Sequence, residues 1–146
     1  RTEKGVAIIA YKESRGSRRF LVLKRTKNWE GWEIPKGHLE EDDYNRTVEI
    51  ELREEAGIEK DQIEEIQELG EDLEWSYEDE EKGEEVKREY RGFIVKISDS
   101  AIVDTTENPS QEHETGFFMK LEDVESLLTY ENQRDLLQEA ITQLKK

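Results

Sequence analysis

Between Trp32 and Ile58 the chain reads Trp-Glu-Ile-Pro-Lys-Gly-His-Leu-Glu, crosses an acidic loop, and enters a helical pattern that ends at Gly57. No other stretch restricts the possible folds as much. A short apolar strand stops at Pro35, and a turn is expected at Gly37. Tyr44 to Ala56 reads as a helix closed by glycine, the residue that best tolerates the left-handed closing conformation. At about 100° per residue, Tyr44, Val48, Leu52 and Ala56 form one apolar stripe, which belongs to the core. Glu49 and Arg53, one turn apart, lie on the far flank and are expected to make an ordinary surface ion pair.

Glu51, Glu54 and Glu55 fill the sector between, and they lack local counter-charges. Their neighbours on that face are Thr47, Val48, Ile50, Leu52, Gly57, Ile58 and Glu59, with no Lys or Arg at helical contact spacing. Carboxylates about 5–6 Å apart repel by roughly 3 kcal/mol per pair at an effective dielectric near 20, and by only tenths of a kcal/mol in open water. Two readings follow: a solvated acidic face, or a site for cations. The Pro-Lys-Gly-His turn favours the second, because it sets backbone carbonyls and a basic residue beside the glutamates. Hard oxygen donors, with no cysteine and two histidines in the chain, favour Mg²⁺ or Mn²⁺ over zinc.

Around this stretch the chain divides into recognisable elements. Gly5 to Tyr11 is a buried-type strand, Glu13 to Arg18 a loop, and Arg19 to Arg25 a second strand. Asn28 to Ile34 forms the strand that Pro35 ends. Ile63 to Leu69 alternates in part and Gly70 breaks it, whereas Leu73, Trp75 and Tyr77 share one face of a cleaner strand. An acidic connector, Glu78 to Glu85, leads into a strand over Val86 to Ile97, so a hairpin is expected. That connector lacks the alternating Asp/Asn ligands of a calcium loop. Ser98 to Glu114 is irregular, Gly116 to Met119 a short strand, and Leu121 to Leu128 and Tyr130 to Leu144 are helices. Strands, a helix, strands and C-terminal helices make one α/β or α+β sandwich, a single domain over residues 1–146.

Charge bounds the function. There are 38 acids against 22 bases, a net charge of −16, which argues against a nucleic-acid-binding face, and no DNA partner is expected. An anionic substrate would need metal ions or a local basic cluster. The absence of cysteine removes disulfides and thiolate metal sites. No apolar run is long enough to span a bilayer, so no membrane partner is expected and a cytoplasmic location is the default. A monomer or weak dimer is expected.

The run Glu51-Leu52-Arg53-Glu54-Glu55-Ala56-Gly57-Ile58 resembles the end of the Nudix box of nucleoside-diphosphate-linked hydrolases. Pro35-Lys36-Gly37-His38 resembles, more narrowly, the entrance found in the diadenosine-tetraphosphate hydrolase branch of that family. The resemblance implies a Nudix-type α/β/α sandwich with a mixed sheet, a loop-helix carrying the box, and C-terminal helices. It implies that Glu51, Glu54 and Glu55 hold divalent cations, Mg²⁺ or Mn²⁺, with the Gly37 carbonyl beside them. Either Glu54 or Glu55 positions or deprotonates the attacking water. Two positions depart from the family pattern. The stretch between Gly37 and Gly57 is one residue shorter than the family's box, so the loop Glu40 to Asp43 has no unique alignment and Asp42 or Asp43 stands for the family's first Glu. Ile50 stands where the family has Arg, and Arg46, one turn earlier, is the expected substitute.

Further along, Glu112-His113, an aromatic strand, an acidic helix and Tyr130 follow the order of the same branch. By that resemblance Glu112 is an extra ligand or base and Tyr130 a platform for adenine. A helix-start residue capping the core is an equal reading of Tyr130. His113 reads as structural, and His38 equally as a substrate contact or a loop histidine. The Lys36 ammonium suits a phosphate, with Lys87 or Arg91 adding charge nearby. The implied function is metal-dependent hydrolysis of a nucleoside polyphosphate by water attack on phosphorus, diadenosine tetraphosphate leading. Other dinucleoside polyphosphates, a capped RNA end and a diphosphoinositol polyphosphate stay open. The alternative is a catalytically weakened module that binds a nucleotide or a partner protein.

Overall fold

A computed structural model describes residues 1–145. The strands are β1 (Thr2–Ser14), β2 (Ser17–Arg25), β3 (Gly31–Glu33), β4 (Lys36–His38), β5 (Ile63–Asp79), β6 (Glu84–Ile97) and β7 (His113–Met119). The helices are α1 (Tyr44–Ala56), α2 (Leu121–Leu127) and α3 (Glu131–Leu144), with one 3-10 turn over Lys60–Gln62. All seven strands join in one sheet. β1 and β6 run parallel over Thr2–Tyr11, and every other pairing is antiparallel, so the sheet is mixed as expected.

Because alternate side chains of a strand point to opposite faces, β1 supplies two cores at once. Val6, Ile8 and Ala10 pack with Val48, Leu52 and Ala56 of α1, whereas Ala7, Ile9 and Tyr11 pack with Val124, Leu136, Leu137 and Ala140 of α2 and α3. The apolar run of β1 therefore marks a strand covered on both sides, and the layers are α/β/α.

Helix α1 begins and ends where the sequence indicates. The Asp43 carboxylate accepts the Arg46 N–H at 3.0 Å and caps the start. Gly57 closes the end at φ 67°, with the Gly57 and Ile58 amides returning to the carbonyls of Arg53 and Leu52. The Gly57-to-Arg53 bond is that of the αL motif, and Ile58 is carried back into the core.

Three expectations change. The loop between β1 and β2 is a tight hairpin, since Arg15 and Gly16 both take positive φ and the strands pair up to Ser14 and Ser17. Gly70 does not end a strand: at φ 84° it sits in an irregularity between Glu68 and Asp72, and β5 continues through it. The Pro-Lys-Gly-His stretch is not a turn either. Lys36, Gly37 and His38 pair with Ala7, Val6 and Gly5 as β4, a backbone pairing that side-chain periodicity does not report.

Candidate active site

The site arises where β1 and β2 diverge. They pair only from Tyr11 to Ser14 against Ser17 to Phe20. Beyond that, β4 takes the edge of β1 and β3 the edge of β2, and the chain crosses between them at Ile34–Pro35. The Pro35 carbonyl accepts the Ile8 N–H at 2.9 Å and pins the crossing. Pro35 has no amide hydrogen to leave unsatisfied there. Over this split lies a cavity of about 350 Å³, whose wall includes Arg25, Trp29, Lys36, Gly37, His38, Trp75, Arg88, Tyr90, Glu112, Tyr130 and Gln133.

Beneath the cavity sits a charge centre. Glu33 is 0% exposed. Its Oε2 accepts from His113 Nε2 at 2.7 Å and from Arg25 Nη1 at 3.1 Å. Lys36 Nζ stands 3.2 Å from its other oxygen as an ion pair. Arg25 Nη1 also reaches Glu112 Oε2, at 3.3 Å. Burial pushes the Glu33 carboxyl upward, but the His113 hydrogen bond and the charges of Lys36 and Arg25 outweigh it and hold it at about 2.

The glutamates of α1 live in the opposite regime. Glu55 is 4% exposed; one oxygen accepts the Lys36 N–H at 2.9 Å, and the other stands 3.8 Å from His113 Nδ1. That Nδ1 is buried without a hydrogen-bond partner. The Glu51 carboxyl lies directly over Gly37, where a Cβ would collide with it. Burial, followed by the charges of Glu54, Glu40 and Glu112, pushes Glu51 up to about 8. Burial and the charges of Glu51 and Glu33 raise Glu55 well above the carboxylate range. Glu54 is half-buried beside them. Among the described residues no Lys or Arg side chain pairs with any of the three. Buried oxygen donors crowded together without a counter-ion are the chemistry of a hard divalent cation site, so the residues fit Mg²⁺ or Mn²⁺. Among the described residues the ligand atoms that converge within 4.8 Å of one another are those of Glu33, Glu112 and His113, whereas Glu51, Glu54 and Glu55 do not come that close together. The carboxylates of Glu33 and Glu112 are already paired with Arg25 and Lys36, which leaves that group as the scaffold of the site.

Of the residues singled out in the sequence, Lys36, Gly37, His38, Glu112 and Tyr130 line the cavity, and Glu51, Glu54 and Glu55 lie on the α1 face behind Gly37. His38 Nδ1 sits 3.2 Å from the Tyr90 hydroxyl. Tyr130 is half exposed at the N-cap of α3, with its ring edge-on to Trp29 at 5.1 Å, so it does not cap the core. Lys87 is displaced from the site. It shares a strand face with Glu89 and pairs with Glu74 and Glu89, each at 3.5 Å, while the alternation of β6 turns Arg88 to the cavity instead. Arg91 is likewise turned away, bonded to Glu68 and set over the Tyr44 ring.

Arg46, expected to stand in for the missing arginine, pairs with none of Glu51, Glu54 and Glu55. Its guanidinium pairs with Glu49 at 3.3 Å and Glu41 at 3.9 Å on the outer side of α1, and Glu49 is thereby taken from Arg53. Arg25, Glu33, Trp29 and Gln133 were not among the expected site residues. Glu33 carried a signal, a charge set between Trp32 and Ile34 in an apolar strand. Arg25 and Trp29, at the end of β2 and in the loop after it, and Gln133, in α3, carried none.

The α/β/α sandwich thus sets a glutamate-bearing helix face behind an open polar cleft. The NUDIX domain pattern spans residues 1–140, and the chain belongs to the Nudix family. Solved structures share the fold. An Ap4A hydrolase binary complex from C. elegans superposes with a TM-score of 0.76 at 24% identity, covering 98% of each chain. The NUDIX domain of Shewanella oneidensis NrtR, complexed with ADP ribose, gives 0.70 at 15% identity over 99% of this chain and 89% of the other. A MutT protein from Methanosarcina mazei gives 0.68 at 21% identity over 99% and 96%. No curated protein sequence matches the chain. Among the described residues no helix is long and apolar enough to cross a membrane.

Proposed function

We propose that the protein hydrolyses a nucleoside polyphosphate with the help of Mg²⁺ or Mn²⁺, with diadenosine tetraphosphate as the leading substrate. One observation carries this reading: buried glutamates without a cation lie under a cleft that offers both phosphate-binding cations and an aromatic wall. Glu51, Glu54 and Glu55, with the Gly37 carbonyl, would hold the metal. Such an ion, when bound, neutralises phosphate charge and lowers the pKa of water. Lys36 and Arg25, fixed by Glu33, bind phosphate oxygens, and the fixed placement spares the cost of ordering two long side chains at each encounter. Arg88, held at 2.9 Å by Glu3, adds charge at the far end of the cleft. The Trp29–Tyr130 pair provides a surface for a base. Water oxygen bonds to phosphorus, the phosphorus–oxygen anhydride bond breaks toward the leaving phosphate, and the proton passes to a carboxylate, Glu54, Glu55 or Glu112.

A nucleotide panel with Mg²⁺, run on the wild type and on Glu55→Gln, tests the reading. Metal-dependent release of mononucleotides by the wild type, reduced at least 100-fold in the variant, is the expected result on the usual scale for losing a catalytic acid–base group, about 10²–10⁴. No turnover of any nucleotide refutes it. One structural feature favours a second reading, a module that binds nucleotide without turnover: Ile50 is apolar where the family's Arg stands, and Arg46 is engaged elsewhere. Nucleotide affinity with no hydrolysis in the same panel would select it.

A further inference from the structure

Gln133, in the first turn of α3, is 2% exposed and still borders the cavity. Its Oε1 accepts the Ile34 N–H at 2.9 Å, at the point where the chain crosses from β3 to β4. That bond fixes the amide. The Ile34 N–H requires an acceptor, so the oxygen faces the strand and the Nε2 hydrogens are left over. Among the described residues Nε2 has no hydrogen-bond partner. A buried amide committed on its acceptor side therefore presents donors only, at a cavity wall that also holds Trp29 and Tyr130.

The cavity's other polar groups are mostly charged. Arg25, Lys36 and Arg88 suit phosphate oxygens, whereas a neutral, rigidly held amide donor suits a neutral acceptor. We propose that Gln133 is a specificity-determining residue whose Nε2 donates a hydrogen bond to a ring nitrogen of the nucleobase held at the Trp29–Tyr130 wall. Resting on the nucleotide-hydrolase reading above, this names what that site recognises: a purine edge offering an acceptor. A base lacking the acceptor leaves the Nε2 hydrogens unpaired on binding, and the asymmetry between made and unmade buried hydrogen bonds supplies discrimination.

The test is calorimetric binding of AMP and its 1-, 3- and 7-deaza analogues in the presence of Mg²⁺, to the wild type and to Gln133→Glu. Each deaza analogue replaces one ring nitrogen by C–H. Glutamate keeps an oxygen for the Ile34 N–H; its burial should lower the thermal midpoint, so binding is compared below the midpoints of both proteins, and in its ionised form it offers no donor. The wild type should bind one analogue about three- to tenfold more weakly than AMP, the usual scale for one neutral hydrogen bond. Gln133→Glu should bind AMP more weakly and no longer distinguish that analogue from it. A wild type that binds AMP and all three analogues equally overturns the proposal, whatever the variant does. So does a variant that keeps the full discrimination. A wild type that binds no nucleotide overturns the hydrolase reading as well, which separates the two failures.

Discussion

The glutamates of α1 are held in the fold at a cost that removing one of them should expose. The Glu51 carboxyl has an ordinary value of 4.5 and is pushed up to about 8 in the folded chain, by burial first and then by Glu54, Glu40 and Glu112, with Lys36 the opposing charge. A raised carboxyl keeps its proton in the native state after the unfolded chain has released it. The contribution of Glu51 is therefore nil below about pH 4.5, and it lowers stability progressively as pH rises toward about 8. At pH 7 the gap corresponds to about 3 kcal/mol, at roughly 1.4 kcal/mol per unit. Glu51→Gln keeps the shape and removes the charge. In EDTA at pH 7 it should unfold about 6–12 °C above the wild type, at the 2–4 °C per kcal/mol usual for a domain near this size. Between pH 5.5 and 8 the wild-type midpoint should fall steeply and the variant's less so, because Glu55 keeps its own raised value. Added Mg²⁺ or Mn²⁺ should raise the wild-type midpoint and leave the variant nearly unmoved. Differential scanning calorimetry across this grid reads all three effects. A variant no more stable than the wild type at pH 7 in EDTA, with an equal pH slope, would refute the argument that these carboxylates are crowded and uncompensated.

Gly37→Ala should fold, because the atoms nearest the added methyl belong to the Glu51 carboxyl, the far end of a flexible side chain, yet weaken Mg²⁺ or Mn²⁺ binding at least tenfold by calorimetry; unchanged affinity would separate Glu51 from the metal. Glu33→Ala strands Arg25, Lys36 and His113 around a lost carboxylate and should destabilise the fold by about 3–5 kcal/mol in urea titrations at pH 7. For the same residue the folded value, about 2 against an ordinary 4.5, gives stability that is complete above pH 4.5 and drains away as pH falls toward 2. Wild-type urea midpoints at pH 5 and pH 2.5 should show that loss, and Glu33→Ala should show less of it. Since Arg46 bonds to Glu41 and Glu49 on the outer surface, Arg46→Ala and Arg15→Ala should alter kcat/KM about equally, within roughly twofold; a much larger loss for Arg46 would restore it as the substitute for the missing arginine.

Much of this was legible along the chain because it depends on near neighbours. Helix α1 follows from the spacing of Val48, Leu52 and Ala56, and its limits from an acceptor side chain at Asp43 and a left-handed Gly57. The lack of counter-charges on Glu51, Glu54 and Glu55 was readable for the same reason. Pairings between distant strands were less legible: β4 hides inside an apparent turn, since hydrogen bonding to Gly5, Val6 and Ala7 leaves no mark on residues 36–38. The expected Glu49–Arg53 pair lost to Arg46 because helical spacing allows both partners and only the folded loop at Glu41 decides between them.

The same division applies to the site. By itself the sequence determined that three carboxylates share one helix face with no local cation, and that Lys36 and Gly37 lead into that helix, because both are matters of spacing within some twenty residues. Tertiary structure alone decided which cations the cleft receives. Strand alternation turned Arg88 inward and Lys87 outward, and the divergence of β1 and β2 opened the space that Arg25, Glu33, His113 and Gln133 fill from four separate segments. It also gave the two groups of glutamates opposite proton affinities: Glu33 was surrounded by positive charge, and Glu51 and Glu55 were buried against one another. Like residues differ here because a carboxyl's charge state depends on what surrounds it in three dimensions, and its neighbours in the chain are only a small part of that.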